Sequence, residues 1–201
     1  REQRTSDSVS RCLWCGKDAD YVAYHDTVWG VPEYCPEQLF AKLILDGQQA
    51  GLSWITILRK QQNYHDGFFN LNPERLHALQ GHARETHIKE QMQNSGVIRN
   101  KLKLNSIFKN ADAYMALKKE GICFSEWLWS AVQGVPVQNA WQTQAEVPAF
   151  TETSETLSKR LKKHGFSFVG PTIVYAFMQA VGMVNDHVTS CFRHQEVKQH
   201  K

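Results

Sequence analysis

The chain has 201 residues, 42% of them hydrophobic, and a formal net charge of +3. That is enough for one large domain or two small lobes with a real core, and the mild basicity permits a polyanionic partner without requiring one. No apolar run approaches the roughly 18 residues that cross a bilayer, and residues 1–10 lack the apolar stretch of an export signal, so a soluble, cytoplasmic protein with no membrane partner is expected.

Residues 1–10 read as a disordered tail, residues 11–192 as a single α-helical domain with two lobes as the alternative, and residues 193–201 as a second tail. The first informative segment, R-C-L-W-C-G-K-D-A-D-Y-V-A-Y-H-D-T-V-W-G-V-P, crowds thiols, rings and an imidazole into a stretch ended by Gly30 and Pro32. A metal or a pocket would organise it. From Pro36 the pattern turns helical, with Pro36 suited to a first turn and Leu39, Phe40, Leu43 and Ile44 at helical spacing. Next comes L-D-G-Q-Q-A-G-L-S-W-I-T-I-L-R-K, Leu45 to Lys60, around which the chain is organised. It sets one acid, Asp46, in an apolar run and interrupts itself at Gly47 and Gly51 before Trp54. Each glycine costs a helix roughly 1 kcal/mol relative to alanine, which points to a bend or close backbone approach. An acid and a ring there suit a flat, nitrogen-rich ligand, although a plain helical corner with Asp46 facing water has the same spacing.

Asn72 before Pro73 signals a capped short helix through Leu79, and residues 83–93 read as a surface helix. Asn94 to Lys101, N-S-G-V-I-R-N-K, then separates that helix from one running to about Leu117, which reads as a helix-hairpin-helix. Backbone N–H groups left free at such a hairpin can hold a phosphate that Arg99 and Lys101 neutralise; an ordinary helical hairpin looks alike. Phe124, Trp127, Leu128 and Val132 suggest a short helix and Gly134–Pro148 a loop. Ser154 and Glu155 start a basic helix that Gly165 ends. Pro171 opens the run that is apolar on nearly all sides, the expected core helix. Strand-like alternation is almost absent, so the fold class is all-α.

Five cysteines, an odd number, argue against a disulfide framework. His187 and Cys191 stand at i and i+4, placing them on one helical face where they can share an ion. Cys12 with His25 would complete a tetrahedron, and so would the alternative set Cys12, Cys15, Cys191 and His194. A closed four-ligand site is structural, because catalytic zinc keeps one position for water.

Taken together, R-C-L-W, Y-V-A-Y-H-D-T-V-W-G-V-P, L-D-G-Q-Q-A-G-L-S-W-I-T-I-L, S-G-V-I-R-N, L-S-K-R-L-K-K-H-G-F-S-F-V-G and F-M-Q-A-V-G-M-V-N-D-H resemble the bacterial DNA-3-methyladenine glycosylase I family, from about Arg11 to Cys191. The resemblance implies a helix-hairpin-helix DNA glycosylase fold whose N- and C-terminal segments are joined by one structural Zn2+ on Cys12, His25, His187 and Cys191. It implies a base pocket of Trp14, Tyr21, Tyr24, Asp46 and Trp54, with Asp46 catalytic. Leu52, beside Gly51, resembles the element that fills the gap in the duplex, while Gly96, Val97, Ile98, Arg99 and Lys101 form the hairpin grip. The expected partner is double-stranded alkylated DNA, with free 3-methyladenine as product, for a monomeric protein at the bacterial nucleoid. Two positions depart from the family pattern. Asp46 stands where the family has glutamate, and the usual glycine near Leu102 is missing.

Methylation at N3 makes adenine cationic, so the glycosidic bond is primed and the pocket need mainly extract the base and favour a positive purine through ring faces and a carboxylate. Monofunctional hydrolysis is expected, because Lys101 and Lys103 lie by the hairpin and no lysine stands where a lyase nucleophile is expected. The alternative is a non-enzymatic alkylated-DNA sensor with the same pocket; a zinc hydrolase of small molecules is disfavoured by the four-ligand count.

Overall fold

A computed structural model of the chain describes residues 9–200. Of the expected N-terminal tail, residues 1–8 lie outside the described residues, while the Ser10 carbonyl accepts a hydrogen bond from the Phe192 N–H at 3.0 Å.

A 3-10 turn at Leu13–Cys15 leads into helix α1 (Ala19–Thr27), capped by Asp18, whose carboxylate accepts from the Asp20 and Tyr21 backbones. Helix α2 (Pro36–Gln48) carries proline in its first turn and buries Leu39, Phe40, Leu43 and Ile44. Helix α3 (Trp54–Gly67) follows the glycine turn, and α4 (Pro73–Ala78) starts behind the Asn72 cap, which accepts from the Arg75 N–H. Helices α5 (Gly81–Gln91) and α6 (Lys101–Lys119) flank the hairpin, and α7 (Phe124–Trp129) is the expected short helix. Helices α8 (Glu152–Lys163), α9 (Pro171–Ala180) and α10 (Phe192–Lys198) complete the chain.

Helix α2 is the hub: it packs on α3, α6, α7 and α9. Its Gly47 permits a close approach: a Cβ there would stand 3.3 Å from the backbone oxygen and Cβ of Phe168, tighter than an ordinary contact. Gly51 has φ +78°, a left-handed conformation that lets the chain reverse into α3. Helix α9 is the core helix that its composition predicts, with Val174, Tyr175, Phe177 and Met178 all buried.

Four sequence expectations are corrected. The all-α reading becomes mostly helical, since Val137–Gln138 within the expected loop pairs in parallel with Val184–Asn185 as a two-residue ladder. Helix α8 begins earlier than Ser154, because Thr151 is the cap: its Oγ1 accepts from the Ser154 N–H while Ser154 Oγ accepts from the Thr151 N–H. The tail expected over residues 193–201 is largely helix α10, anchored by buried Val197. His187 and Cys191 do not share a helical face; they bracket a turn in which the Cys191 N–H donates to the Val188 carbonyl, and Cys191 caps α10. Among the described residues no helix is long and apolar enough to cross a membrane.

Candidate functional site

Helix α1 presents two sets of side chains to two different places. Tyr21 and Tyr24, three residues apart and so on one face, line a cavity of about 200 Å³ together with Trp14, Trp29, Asp46 and Trp54. His25, the next residue around the helix, points instead into a cluster of thiols and imidazoles. Trp14 meets Tyr21 edge-on at 5.0 Å between ring centroids and Trp29 at 5.0 Å, and Tyr24 lies 5.6 Å from Trp54 at a 37° tilt. Gln49, Gln144, Ala176, Gln179 and Ala180 complete the wall.

Asp46, on the last turn of α2, is 2% exposed. Its Oδ1 accepts from Lys42 Nζ at 3.0 Å, one helical turn earlier. Its Oδ2 has no protein partner among the described residues, and neither do the buried indole N–H groups of Trp14 and Trp54. An unpaired buried polar atom is costly and uncommon; three on residues lining one cavity suit a polar, flat ligand. Burial raises the Asp46 pKa, an effect opposed by Lys42, and burial lowers the Lys42 pKa, opposed by Asp46. Burial also holds both tyrosine hydroxyls protonated, with the Asp46 charge adding at Tyr24.

Behind the rings, the ligand atoms of Cys12, His25, His187 and Cys191 all lie within 4.8 Å of one another. Cys191 Sγ is 3.5 Å from both His25 Nε2 and His187 Nδ1, and Cys12 Sγ is 3.6 Å from His187 Nδ1. Tetrahedral bonds of about 2.3 Å to sulfur and 2.0–2.1 Å to nitrogen would put S and N about 3.5 Å apart, so the donor set fits zinc. The remaining ring nitrogens are held from outside: His25 Nδ1 lies 2.7 Å from Asp26 Oδ1, and His187 Nε2 lies 2.9 Å from the Trp29 carbonyl oxygen. The hydrogen bond from Cys12 pulls the Cys191 thiol well below its ordinary value against its burial, with help from both histidines, and the same bond pushes Cys12 up. Cys15 and His194 stand apart, bonded to the Cys12 and Asn139 carbonyls respectively.

The turn Gln49–Ser53 lies at the edge of the cavity, with Leu52 41% exposed and Gly51 open. A chain of hydrogen bonds wires it to the hairpin. Tyr64 Oη donates to Gln48 Oε1 and accepts from the Ile98 N–H; Gln48 Nε2 donates to the Lys103 carbonyl; and Lys103 Nζ donates to the carbonyls of Gln48 and Ala50. Asn63 and Lys60 of α3 reach the Gly96 and Ser95 carbonyls.

These contacts revise the hairpin expected from sequence. The N–H groups of Gly96, Val97 and Ile98 donate to Asn94 Oδ1, the Asn94 carbonyl and Tyr64 Oη, so they are not free for phosphate. The Val97 side chain, 3% exposed, belongs to the core, and Lys103, 6% exposed, is an internal cap on α2. Arg99 and Lys101 remain exposed.

The structure therefore gathers Trp14, Tyr21, Tyr24, Asp46 and Trp54 around one cavity and leaves Cys12, His25, His187 and Cys191 as a separate cluster. Sequence reasoning missed Lys42, although its i, i+4 relation to Asp46 was legible; the fold brings this lysine against the Trp54 ring. Trp29 belongs to the ring-rich segment for which a metal or a pocket was expected, whereas Gln144 and Gln179 carried no sequence signal for the pocket.

Residues 14–194 match the family model described as methyladenine glycosylase. The chain is 46% identical to the DNA-3-methyladenine glycosylase of Haemophilus influenzae over 91% of its own length and 97% of that protein's. It superposes with a TM-score of 0.88 on a crystal structure of a 3-methyladenine DNA glycosylase I, at 45% identity, covering 91% of this chain and 98% of that one. A tyrosine-to-phenylalanine variant of such an enzyme, solved in complex with 3-methyladenine, is 34% identical with a TM-score of 0.85, covering 90% and 96% of the two chains.

Proposed function

The chain belongs to the methyladenine glycosylase family, and we propose from that premise how its own residues carry the reaction. It is a DNA-3-methyladenine glycosylase of base-excision repair, a hydrolase acting on the N-glycosyl bond. The observation that supports the residue-level reading is the cavity among Trp14, Tyr21, Tyr24 and Trp54, lined also by Asp46, one of whose buried oxygens has no hydrogen-bond partner.

The hairpin, through Arg99 and Lys101, and the first turn of α6 hold the backbone of double-stranded alkylated DNA. Leu52, presented at the glycine turn, fills the gap as the base leaves the stack, a step that costs least for a damaged pair. The flipped purine stacks among the rings, whose negative faces favour a cation, and Asp46 accepts hydrogen bonds from its edge. The C1′–N bond then breaks with its electron pair passing to the base, which cancels the positive charge, while water attacks C1′ and gives up a proton. Free 3-methyladenine departs. Lys42 is not the nucleophile: while its proton is shared with Asp46 the nitrogen has no lone pair to offer C1′.

Cys12, His25, His187 and Cys191 would hold one structural Zn2+, which would supply a cross-link between distant segments rather than chemistry at the base. Trp14 and Trp29 lie between that cluster and the pocket, with Trp14 5.3 Å from His25 and Trp29 4.7 Å from His187 between ring centroids, so the cross-link steadies the pocket wall. The protein acts as a monomer in the bacterial cytoplasm, at the nucleoid.

Incubation with methylated duplex DNA is expected to release 3-methyladenine detectable by chromatography, with no adduct trapped by borohydride and about one zinc per chain. Binding without release would replace the enzyme by a damage sensor, and a borohydride adduct would overturn the monofunctional mechanism.

A further inference from the structure

Lys42 occupies the slot itself. Its Nζ lies 3.2 Å from the centroid of the Trp54 ring and 5.6 Å from that of Tyr24, while it donates to Asp46 Oδ1 at 3.0 Å. Two ring faces and one carboxylate are the contacts a flipped, positively charged purine requires. The arrangement is set by α2, where the two residues are one turn apart on the same face. The Lys42 stem also lines two neighbouring grooves, one with Val28 and Gln61 and one with Ala23 and Leu58, so the side chain has space to withdraw without disturbing the helix.

We propose that Lys42 is a specificity-determining residue, a resident cation that a flipped base must displace from Trp54 and that lowers the preference of the pocket for positively charged over neutral modified purines. The proposal rests on the pocket reading given above. When a cationic base enters, one positive charge replaces another at the Trp54–Asp46 slot, and the two contributions largely cancel. When a neutral purine enters, Lys42 leaves the ring face but keeps Asp46, and the unpartnered Oδ2 still accepts an N–H from the base. The pair thus makes the slot nearly neutral, whereas Asp46 and the rings alone would select strongly for charge.

The test compares wild type with Lys42→Met, which keeps length and helix preference but removes the charge. Two free ligands are titrated at pH 8 by quenching of tryptophan fluorescence: 3-methyladenine, neutral there, and 3,9-dimethyladeninium, a permanent cation whose N9 methyl stands in for C1′. The variant is expected to bind the cation about tenfold tighter (~1.4 kcal/mol), with the neutral ligand changing much less. Lys42→Arg, which retains the charge, is expected to keep the wild-type ratio of the two affinities. Equal changes for both ligands, or none, would overturn the proposal, since a merely structural or occluding lysine affects both alike. If Lys42→Met does not fold, Lys42→Gln is read by the same ratio. Failure of wild type to release 3-methyladenine from DNA would instead sink the glycosylase reading, so the two failures are distinguishable.

Discussion

At Asp46, a residue lining the cavity, a carboxylate is taken out of water, given one ammonium on Oδ1 and left with a buried Oδ2 that has no hydrogen-bond partner. Replacing it with asparagine keeps the shape and removes the charge that accepts from the base. A charge-assisted hydrogen bond in a desolvated site is worth roughly 1.5–3 kcal/mol. Asp46→Asn is therefore expected to slow excision of 3-methyladenine about a hundredfold (~2.7 kcal/mol) in single-turnover assays. Folding should survive, because Lys42 can swing its ammonium toward the adjoining grooves. Undiminished excision by this variant would remove Asp46 from the reaction. The sequence singled out this acid and its surrounding rings; it gave no hint that an ammonium would lie against Trp54.

The element proposed to meet DNA is the segment Asn94–Asn100, and its backbone is largely spoken for. With the N–H groups of Gly96, Val97 and Ile98 committed to internal partners, the proposed phosphate attraction would fall to the exposed Arg99 and Lys101 and to the start of α6. Alanine at either position should weaken binding to all duplexes alike and reduce the slope of log affinity against log salt by about one. Lys103, two residues further on, should behave in the opposite way. Its ammonium satisfies the Gln48 and Ala50 carbonyls at the end of α2, so Lys103→Met is expected to cost roughly 1–3 kcal/mol of stability, seen in denaturant unfolding, with the salt slope unchanged. Reversal of these two behaviours would show that the hairpin presents a different face to DNA.

Across the whole molecule, the cluster of Cys12, His25, His187 and Cys191 joins the first described segment of the chain to the last, and its imidazoles lie against the pocket indoles. Chelation or Cys191→Ser is expected to lower the melting temperature by ~10 °C or more, as several kcal/mol lost from a domain of this size would. Tryptophan fluorescence should shift with it, because Trp14 and Trp29 lose their support. A chelator-treated protein with unchanged melting and activity would remove the metal from the account.

Helical periodicity, proline and asparagine at helix starts, and the thiol and imidazole content were legible in the chain because they are local: each is decided by neighbours within a turn or two. Local pattern also placed Asp46, Gly51 and Trp54 in one functional stretch, and the family motifs indicated which cysteines and histidines belong together where spacing alone left Cys15 and His194 open. Tertiary structure decided the rest. Whether Lys42 faces solvent or Trp54 depends on α3 folding back across α2, and whether Lys103 meets phosphate or the Gln48 and Ala50 carbonyls depends on α6 docking at the end of α2. A basic side chain has the same sequence signature in either place; only the unpaired acceptors brought to it by distant segments determine where its charge is satisfied.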